Sequence, residues 1–308
     1  MRFYLTILLL ACCIGMASAQ DDKPLIPDYN NAGFAFGGFD RTYSYVTPDN
    51  YDASKSYPLV VVFHGAGSTG IDMMSHTGLK ELAAKNGYII AFPDGIEQGW
   101  GYLNKEDQDS RDVYTEDWNF FAALVDDVAA HASVDAKRVY VIGLSNGGSL
   151  AYRIMCEQAD RVAGVVVLAS TLSTYTADSC VGTAPVPLMM VLGTGDRTFP
   201  FGGSAEIKGK RLILQLSFQQ QMTFLAQHQQ CKLSGGTTGT VSVPGSQFEV
   251  VRDFYNECPG GAPILVYAMI DFEHGYGGKA AIIREDGTAG TLEDAMFDFF
   301  AAYPAPAK

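Results

Sequence analysis

The stretch Arg138-Val-Tyr-Val-Ile-Gly-Leu-Ser-Asn-Gly-Gly-Ser-Leu-Ala-Tyr152 decides how the rest of the chain folds. A run of β-branched apolar residues leads into Gly143-Leu-Ser-Asn-Gly147, and the residues that follow can form a helix. Glycines on both sides of Ser145 fit a strand-to-helix turn that is too tight for a Cβ. Such a turn exposes the serine hydroxyl at the carboxyl end of the strand and points the Asn146 amide out of the helix N-terminus. We therefore predict a nucleophilic serine, with an ordinary strand-to-helix turn as the alternative.

Apolar runs and helical segments alternate along the chain, which is typical of a mostly parallel sheet with helices on both faces. The short continuous apolar runs indicate strands that are buried on both sides. We therefore expect an α/β fold with its site outside the carboxyl ends of the strands. The predicted strands cover residues 41–47, 58–63, 88–92, 138–143, 163–169, 187–193 and 263–269, and the predicted helices cover 78–86, 117–131, 210–229 and 292–302, with a polar loop at 94–116.

A serine needs a histidine base to become an effective nucleophile, and the base needs an acid to orient it. Of the five histidines, His131 and His228 fall on predicted helices and His76 falls in a polar loop. His274 lies on a glycine-rich loop just after the last predicted strand. That is the expected position of the base, and a loop histidine without function is the alternative.

The acid is expected after the serine and before the histidine, again at the end of a strand. Asp196 follows the buried run at 187–193 through a loop that contains two glycines. Asp271 competes with it, but lies only three residues from His274 on the same strand exit. Because an acid of this kind normally approaches the ring from a neighbouring strand, we prefer Asp196.

A second glycine-rich loop follows the first buried strand, in the stretch Phe63-His-Gly-Ala-Gly67. Glycine at such a place lets the backbone approach a substrate oxygen. We predict that the amide of Ala66 supplies one oxyanion contact beside the amide of Asn146, with Gly65 as the second choice. His64 is expected to order this loop. An ordinary turn at the end of a strand is the alternative.

The beginning of the chain has the pattern of an export signal. Arg2 is followed by an apolar run and by an Ala-Ser-Ala sequence at residues 17–19, so we predict a signal peptide over residues 1–19 and a single catalytic domain over 20–308. A lipoprotein anchor at Cys12 is the alternative. No later stretch is long and apolar enough for a membrane span. The net charge of −13 argues against nucleic acid or anionic membranes as partners.

Four cysteines remain after the predicted signal peptide: Cys156, Cys180, Cys231 and Cys258. An even number in an exported chain favours disulfides over free thiols. Three pairings are possible, and pairing neighbours along the chain is the simplest. Each such bond would close a loop of about 25 residues and stabilise the fold by about 3–4 kcal/mol. No cysteine or histidine spacing indicates a metal site.

These motifs occur in an order that resembles the secreted polyhydroxybutyrate depolymerase and feruloyl esterase family of α/β-hydrolases, over about residues 40–303. The resemblance implies the α/β-hydrolase fold, a Ser145–His274–Asp196 triad, the two neighbouring disulfides and no cofactor. The matching segments are His64-Gly65, Pro93-Asp94-Gly95, Val134-Asp135, Arg138-Val-Tyr-Val141, Gly143-Leu-Ser-Asn-Gly-Gly148, Met155-Cys156, Gly193-Thr-Gly-Asp196 and His274-Gly275.

The chain departs from the family beside the motifs. It has Ala66 where members often have cysteine, Leu192 where they often have histidine, and Gly275-Tyr-Gly277 where they often have Trp-Pro. In the family, the residues beside the histidine usually form the wall of the acyl pocket, so specificity is the part that the resemblance predicts least. Aromatic residues on loops after strands are the candidates for the pocket wall. They are Trp100, Phe199, Phe201 and Tyr276, with the alternative that both phenylalanines pack inward and only Tyr276 reaches the substrate.

The sequence therefore predicts a secreted serine esterase that acts on a small, oligomeric or polymeric ester. Feruloyl-type esters of plant cell walls and polyhydroxyalkanoates are the rival substrates. No segment has the pattern of an appended binding module, which favours soluble or oligomeric esters. A catalytically silent binding module, which would lack a triad member, and a serine peptidase are the remaining alternatives. The sequence does not determine the oligomeric state.

Overall fold

In the described part of the chain, twelve strands form one large sheet, and two further strands form a separate hairpin. The computed structural model describes residues 29–103, 115–208, 211–243, 246–283 and 288–304. The strands are β1 (Asn30–Phe36), β2 (Phe39–Val46), β3 (Tyr57–Phe63), β4 (Ile89–Pro93), β5 (Val134–Leu144), β6 (Gly164–Leu168), β7 (Leu188–Gly193), β8 (Ser204–Lys208), β9 (Arg211–Gln215), β10 (Gly235–Val243), β11 (Ser246–Tyr255), β12 (Ile264–Met269), β13 (Ala281–Ile283) and β14 (Ala289–Thr291). The helices are α1 (Gly70–His76), α2 (Leu79–Asn86), α3 (Asp117–His131), α4 (Asn146–Glu157), α5 (Thr174–Ser179), α6 (Phe218–His228) and α7 (Leu292–Ala302).

The middle of the large sheet is parallel, in the order β4-β3-β5-β6-β7-β12. Antiparallel strands extend it on both sides, with β2 and β1 beyond β4, and β11, β10, β13 and β14 beyond β12. The parallel centre confirms the predicted α/β fold. Several outer strands were missed because no continuous apolar run marks them.

The sheet is covered on both faces because successive side chains of a strand point in opposite directions. Leu59 and Val61 of β3 belong to the apolar cluster that contains side chains of α3, α4 and α6. Val60 and Val62 belong to the cluster that contains side chains of α1, α2 and α7. All four are fully buried, and burial of one such side chain stabilises a fold by about 1.5–3 kcal/mol. The continuous apolar runs of the sequence reflect this burial on both faces.

The predicted helix over residues 210–229 is wrong in its first part. Residues 204–208 and 211–215 form the β8–β9 hairpin, and α6 begins only at Phe218. Ser217 accepts a hydrogen bond from the Gln220 amide, while the Gln220 side chain accepts one from the Ser217 amide. This capping box starts the helix at a defined place and leaves the preceding residues free to pair as strands.

Two disulfides stabilise the ends of helices α4 and α6. Cys156 at the end of α4 is bonded to Cys180 just after α5, and Cys231 after α6 is bonded to Cys258 after β11. Within the described residues, no helix has both the length and the apolar character needed to cross a membrane. The predicted signal peptide with Cys12, and residues 104–114 of the predicted polar loop, lie outside the described residues.

Candidate active site

The turn between β5 and α4 holds Ser145 in an unusual backbone conformation, with φ of 55° and ψ of −116°. A non-glycine residue in such a conformation costs about 1–3 kcal/mol, so the surroundings must enforce it. The Ser145 amide donates to the carbonyl of Leu168 at 2.9 Å. A Cβ on Gly143 would collide with the carbonyl of Gly147, and one on Gly147 would collide with the carbonyl of Phe63. The two glycines therefore allow the turn that exposes the serine.

The Ser145 hydroxyl lies in a hydrogen-bonded chain with His274 and Asp196. The distance from Ser145 Oγ to His274 Nε2 is 2.9 Å, and the distance from His274 Nδ1 to Asp196 Oδ2 is 2.7 Å. Because a carboxylate only accepts hydrogen bonds, Nδ1 carries the proton of the neutral ring. Nε2 is then free to accept the proton of the serine hydroxyl. This arrangement can generate a nucleophile.

Asp196 is buried, and both of its carboxylate oxygens have partners. Oδ1 accepts hydrogen bonds from the amides of Thr198 at 2.7 Å and Phe199 at 2.9 Å, which directs Oδ2 to the histidine. The competing Asp271 is exposed and has a positive φ of 58°. Its amide donates to Thr194 Oγ1 at 2.9 Å. The structure therefore brings Asp196 to the ring and keeps Asp271 on the outer side of the loop.

Two glycines bring the loop of Asp196 against the loop of His274. A Cβ on Gly193 would collide with the carbonyl of Phe272, and one on Gly195 would lie 3.0 Å from the carbonyl of Asp271. The Gly195 amide donates to the Phe272 carbonyl at 3.1 Å. The Gly-Thr-Gly spacing before the aspartate is the signal of this close approach in the sequence, and no role was predicted for either glycine.

The loop after β3 approaches the serine through its glycine. A Cβ on Gly65 would lie 3.5 Å from Ser145 Cβ, and Ala66 borders the same cavity as Ser145 and Asn146. His64 is fully buried behind this loop, where its Nε2 accepts from the Gly95 amide at 3.0 Å and its Nδ1 donates to the Gly65 carbonyl at 2.8 Å. Burial lowers the pKa of His64 below its ordinary value of 6.5. The neutral ring therefore holds the loop in place.

A family model described as "Putative esterase" matches residues 38–238, which is more than half of the chain. The chain belongs to this esterase family. It is 36% identical over 146 residues to the putative esterase NocK of Nocardia uniformis subsp. tsuyamanensis. This match covers 47% of this chain and 42% of NocK. It is 26% identical over 206 residues to feruloyl esterase D of Neurospora crassa, covering 62% of this chain and 67% of that protein.

This chain thus spans 42% of the length of NocK and 67% of the length of feruloyl esterase D. Among solved structures, the acetyl xylan esterase from Aspergillus awamori has a TM-score of 0.58 at 11% sequence identity, covering 88% of this chain and 99% of that chain. At such low identity the likeness concerns the fold. It agrees with the parallel sheet and flanking helices described above.

A cavity of about 470 Å³ is bordered by Ser145. Of the four aromatic residues predicted for its wall, Phe199 is present, and its ring stacks on the His274 ring with a centroid distance of 5.9 Å. The other lining residues are mostly polar or small. The full lining is Ala66, Tyr102, Ser145, Asn146, Ser149, Thr198, Phe199, Ser204 and Gln215.

The prediction that Trp100 forms part of the pocket wall is wrong. Trp100 is 5% exposed, its ring packs edge-on against Phe63, and its Nε1 donates to the His64 carbonyl at 2.9 Å. The backbone of Trp100 instead contacts the site: its amide donates to Asn146 Oδ1 at 2.7 Å, and its carbonyl accepts from Asn146 Nδ2 at 3.2 Å. Trp100 therefore anchors the loop that binds the start of α4.

The predictions for Phe201 and Tyr276 are also wrong. Phe201 stacks on Phe218 of α6 with a centroid distance of 4.6 Å and packs on the core. The Tyr276 hydroxyl donates to Glu293 Oε1 of α7 at 2.6 Å. Burial, together with the nearby Glu293 carboxylate, raises the pKa of Tyr276 well above its ordinary value. Neither ring lines the cavity at Ser145, because each finds a partner on a helix.

The structure also reveals a buried ion pair that the sequence analysis missed. Arg41 of β2 contacts Asp117 at the start of α3, with 2.7 Å between Nη1 and Oδ1 and almost no exposure of either side chain. Asp117 Oδ2 accepts from the Gly101 amide and from Thr115 Oγ1, both at 2.7 Å. The pair thereby holds the loop that carries Trp100. An arginine inside an alternating strand was its only signal in the sequence.

Proposed function

We propose that this protein is a serine carboxylic-ester hydrolase in which Ser145 is the nucleophile, His274 the base and Asp196 the acid. The observation that carries the proposal is the hydrogen-bonded chain of 2.9 Å and 2.7 Å that joins these three side chains. Membership of the esterase family supports the same reaction class.

In the first step, His274 Nε2 accepts the proton of Ser145 as Oγ attacks the ester carbonyl. The Asp196 carboxylate stabilises the imidazolium that forms, while its own proton state does not change. Because Oδ1 is held by two backbone amides, Oδ2 keeps the ring in the orientation that this transfer requires. The attack yields a tetrahedral intermediate with a negative oxygen.

The amides of Ala66 and Asn146 would bind that oxygen. The Asn146 amide is the first of helix α4, and the first amides of a helix have no acceptor within the helix. One such donor is typically worth about 10²–10³ in rate. The side chain of Asn146 is held by the Trp100 backbone, which keeps the start of α4 in register with the opposite loop.

The intermediate then collapses, and the alcohol leaves with the proton from His274. A water molecule, deprotonated by His274, hydrolyses the acyl-enzyme and restores Ser145. Each bond that forms or breaks is an ordinary acyl-transfer step, and the protons move only between the serine, the histidine, the alcohol and water.

Feruloyl-type esters are the proposed substrates. The similarity to feruloyl esterase D supports this class. The cavity wall contains two aromatic residues, Phe199 and Tyr102, against which a planar acyl group could pack. Export is proposed as well, because the chain begins with the signal pattern at residues 1–19 and its two disulfides suit an oxidising compartment.

A substrate panel tests the proposal. The protein is assayed with methyl ferulate, with p-nitrophenyl acetate, butyrate and octanoate, and with hydroxybutyrate oligomers. We expect hydrolysis with the highest kcat/KM on methyl ferulate and no activity in Ser145→Ala. A protein that hydrolyses short aliphatic esters but not methyl ferulate would contradict the substrate class, and one that hydrolyses none would contradict the enzyme class.

A further inference from the structure

One polar side chain in the cavity has no part in the reaction described above. Gln215 ends strand β9, borders the cavity that contains Ser145, and is 7% exposed. Its Oε1 accepts a hydrogen bond from Thr171 Oγ1 at 3.2 Å. Its Nε2 finds no acceptor among the described residues. The oxygen of this amide group is thus held by the protein, while its nitrogen is accessible from the cavity and open to a ligand.

A polar wall leads from the nucleophile to this amide. Ser149 lies one turn of α4 beyond Ser145, a rise of about 6 Å, and its Oγ is 3.2 Å from Ser170 Oγ. The next residue, Thr171, is the partner of Gln215. Ser149 and Gln215 are both buried, whereas Ser204, which pairs with Gln215 across the β8–β9 hairpin and also borders the cavity, is exposed.

Among the described residues, His274 is not part of the lining of this cavity. The alcohol part of the ester takes its proton from His274 and therefore lies on the side of that residue, outside the cavity, where the His274 side chain is 29% exposed. The acyl group then occupies the space along Ser149 towards Gln215. Because the Gln215 Nε2 can only donate, the acyl group must bring an acceptor oxygen to satisfy it.

We infer that Gln215 is a specificity-determining residue whose Nε2 donates a hydrogen bond to an oxygen substituent on the acyl group. This inference rests on the proposed ester hydrolysis at Ser145. A phenolic or methoxy oxygen of a hydroxycinnamoyl group and the hydroxyl of a short hydroxyalkanoyl group share this chemistry. An acyl group without such an oxygen covers the donor and leaves it unpaired. The enzyme then binds the transition state of that ester more weakly.

Matched ester pairs test the inference on the full chain. The first pair is methyl 4-hydroxycinnamate and methyl cinnamate, and the second is methyl 3-hydroxybutyrate and methyl butyrate. We compare kcat/KM of the wild type with that of Gln215→Met, which keeps the length of the side chain and removes the donor. In at least one pair, the preference for the oxygenated ester should fall about tenfold, because a hydrogen bond of this kind contributes about 1.4 kcal/mol.

Since both esters of a pair are measured on the same preparation, a partly unfolded variant lowers both rates and leaves their ratio unchanged. Gln219→Met is the matched control, because Gln219 is exposed on α6 and outside this cavity, and it should keep the wild-type ratio. Thr171→Val removes the hydrogen-bond partner of Gln215 Oε1 and should lower the preference for the oxygenated ester to a smaller extent. This variant replaces Gln215→Met in the test if Gln215→Met does not fold.

The pair that responds identifies the acyl class. Equal losses on both members of both pairs would overturn the role of Gln215 while leaving the proposed function intact. A wild type that hydrolyses none of the four esters would instead contradict the proposed function, and the inference with it.

Discussion

The nucleophile and the base of the candidate site are supported by two different kinds of buried polar contact. On the side of the nucleophile, the loop that binds Asn146 is held by the Arg41–Asp117 ion pair, which is almost completely buried. On the side of the base, the loop of His274 is held by the hydrogen bond from Tyr276 to Glu293. One support is a pair of opposite charges, and the other joins a neutral group to a carboxylate.

The difference matters because the two contacts fail in different ways. Removing one member of a buried ion pair leaves a charge without a partner, at a cost of about 3–5 kcal/mol. Removing the Tyr276 hydroxyl leaves Glu293 with the amide of Gly78, which it also binds at 2.9 Å. We therefore expect damage on the nucleophile side to lower the stability of the fold, and damage on the base side to lower the reaction rate.

The largest expected effect is at Ser145, where the nucleophile side and the base side of the site meet. Ser145→Ala should reduce kcat by at least about 10⁴-fold, because the acyl-enzyme can no longer form. The thermal midpoint should stay close to that of the wild type, since the exposed hydroxyl is not part of either support. Labelling with a serine-directed phosphonate should be lost in the variant, and labelling that persists would contradict the assignment.

The acid comes next. Asp196→Asn should reduce kcat by about 10⁴-fold, because the amide cannot stabilise the imidazolium and favours the wrong tautomer of His274. Asp271→Asn is the matched control on the same pair of loops, and it should change kcat little because its side chain is exposed. An inactive Asp271→Asn beside an active Asp196→Asn would reverse the assignment.

The ion pair tests the nucleophile half of the comparison. Arg41→Met should lower the free energy of unfolding, measured in urea, by about 3–5 kcal/mol. Arg138→Met is the control: its pair with Asp135 has the same kind of contact, at 2.8 Å, but is partly exposed, so the loss should be about 1 kcal/mol or less. Equal losses for the two variants would mean that the burial of Arg41 and Asp117 does not set their contribution.

The tyrosine tests the base half. Tyr276→Phe should lower kcat about tenfold with little change in KM, since a hydrogen bond to a charged group contributes about 1.5–3 kcal/mol to holding the loop. The loss should be the same for p-nitrophenyl acetate and methyl ferulate, because Tyr276 does not line the cavity. Tyr255→Phe, at the end of β11, is the control. A loss of kcat for methyl ferulate alone would mean that Tyr276 contacts the acyl group after all.

The smallest effect concerns pH and the loop after β3. Burial lowers the pKa of His64 in the folded protein below 6.5, so the unfolded chain takes up the proton first as the pH falls. The free energy of unfolding should therefore be fully retained above pH 6.5 and decline below it, until the folded pKa is passed. His64→Gln should flatten this decline in urea titrations at pH 7 and pH 5, whereas the exposed His76→Gln should not.

The sequence by itself determined those features that depend on short segments. Apolar runs identified the parallel strands because burial on both faces leaves no polar position in them. The spacing of glycines around Ser145 predicted the turn because the collision it avoids lies within a few residues. Asp196 and His274 were chosen because parallel strands end at one edge of the sheet, and the structure brings their side chains to Ser145.

Tertiary structure alone decided which way the aromatic and charged side chains point. Trp100 and Tyr276 lie on loops, but a distant carbonyl and a distant carboxylate bind their polar atoms. Arg41 and Asp117 meet across 76 residues of sequence. The side chain of a loop residue binds whichever partner lies near it in the folded chain. Because that partner is distant in sequence, a local sequence pattern does not predict it. The same reason explains why Gln215, at the end of an unpredicted strand, was recognised only in the structure.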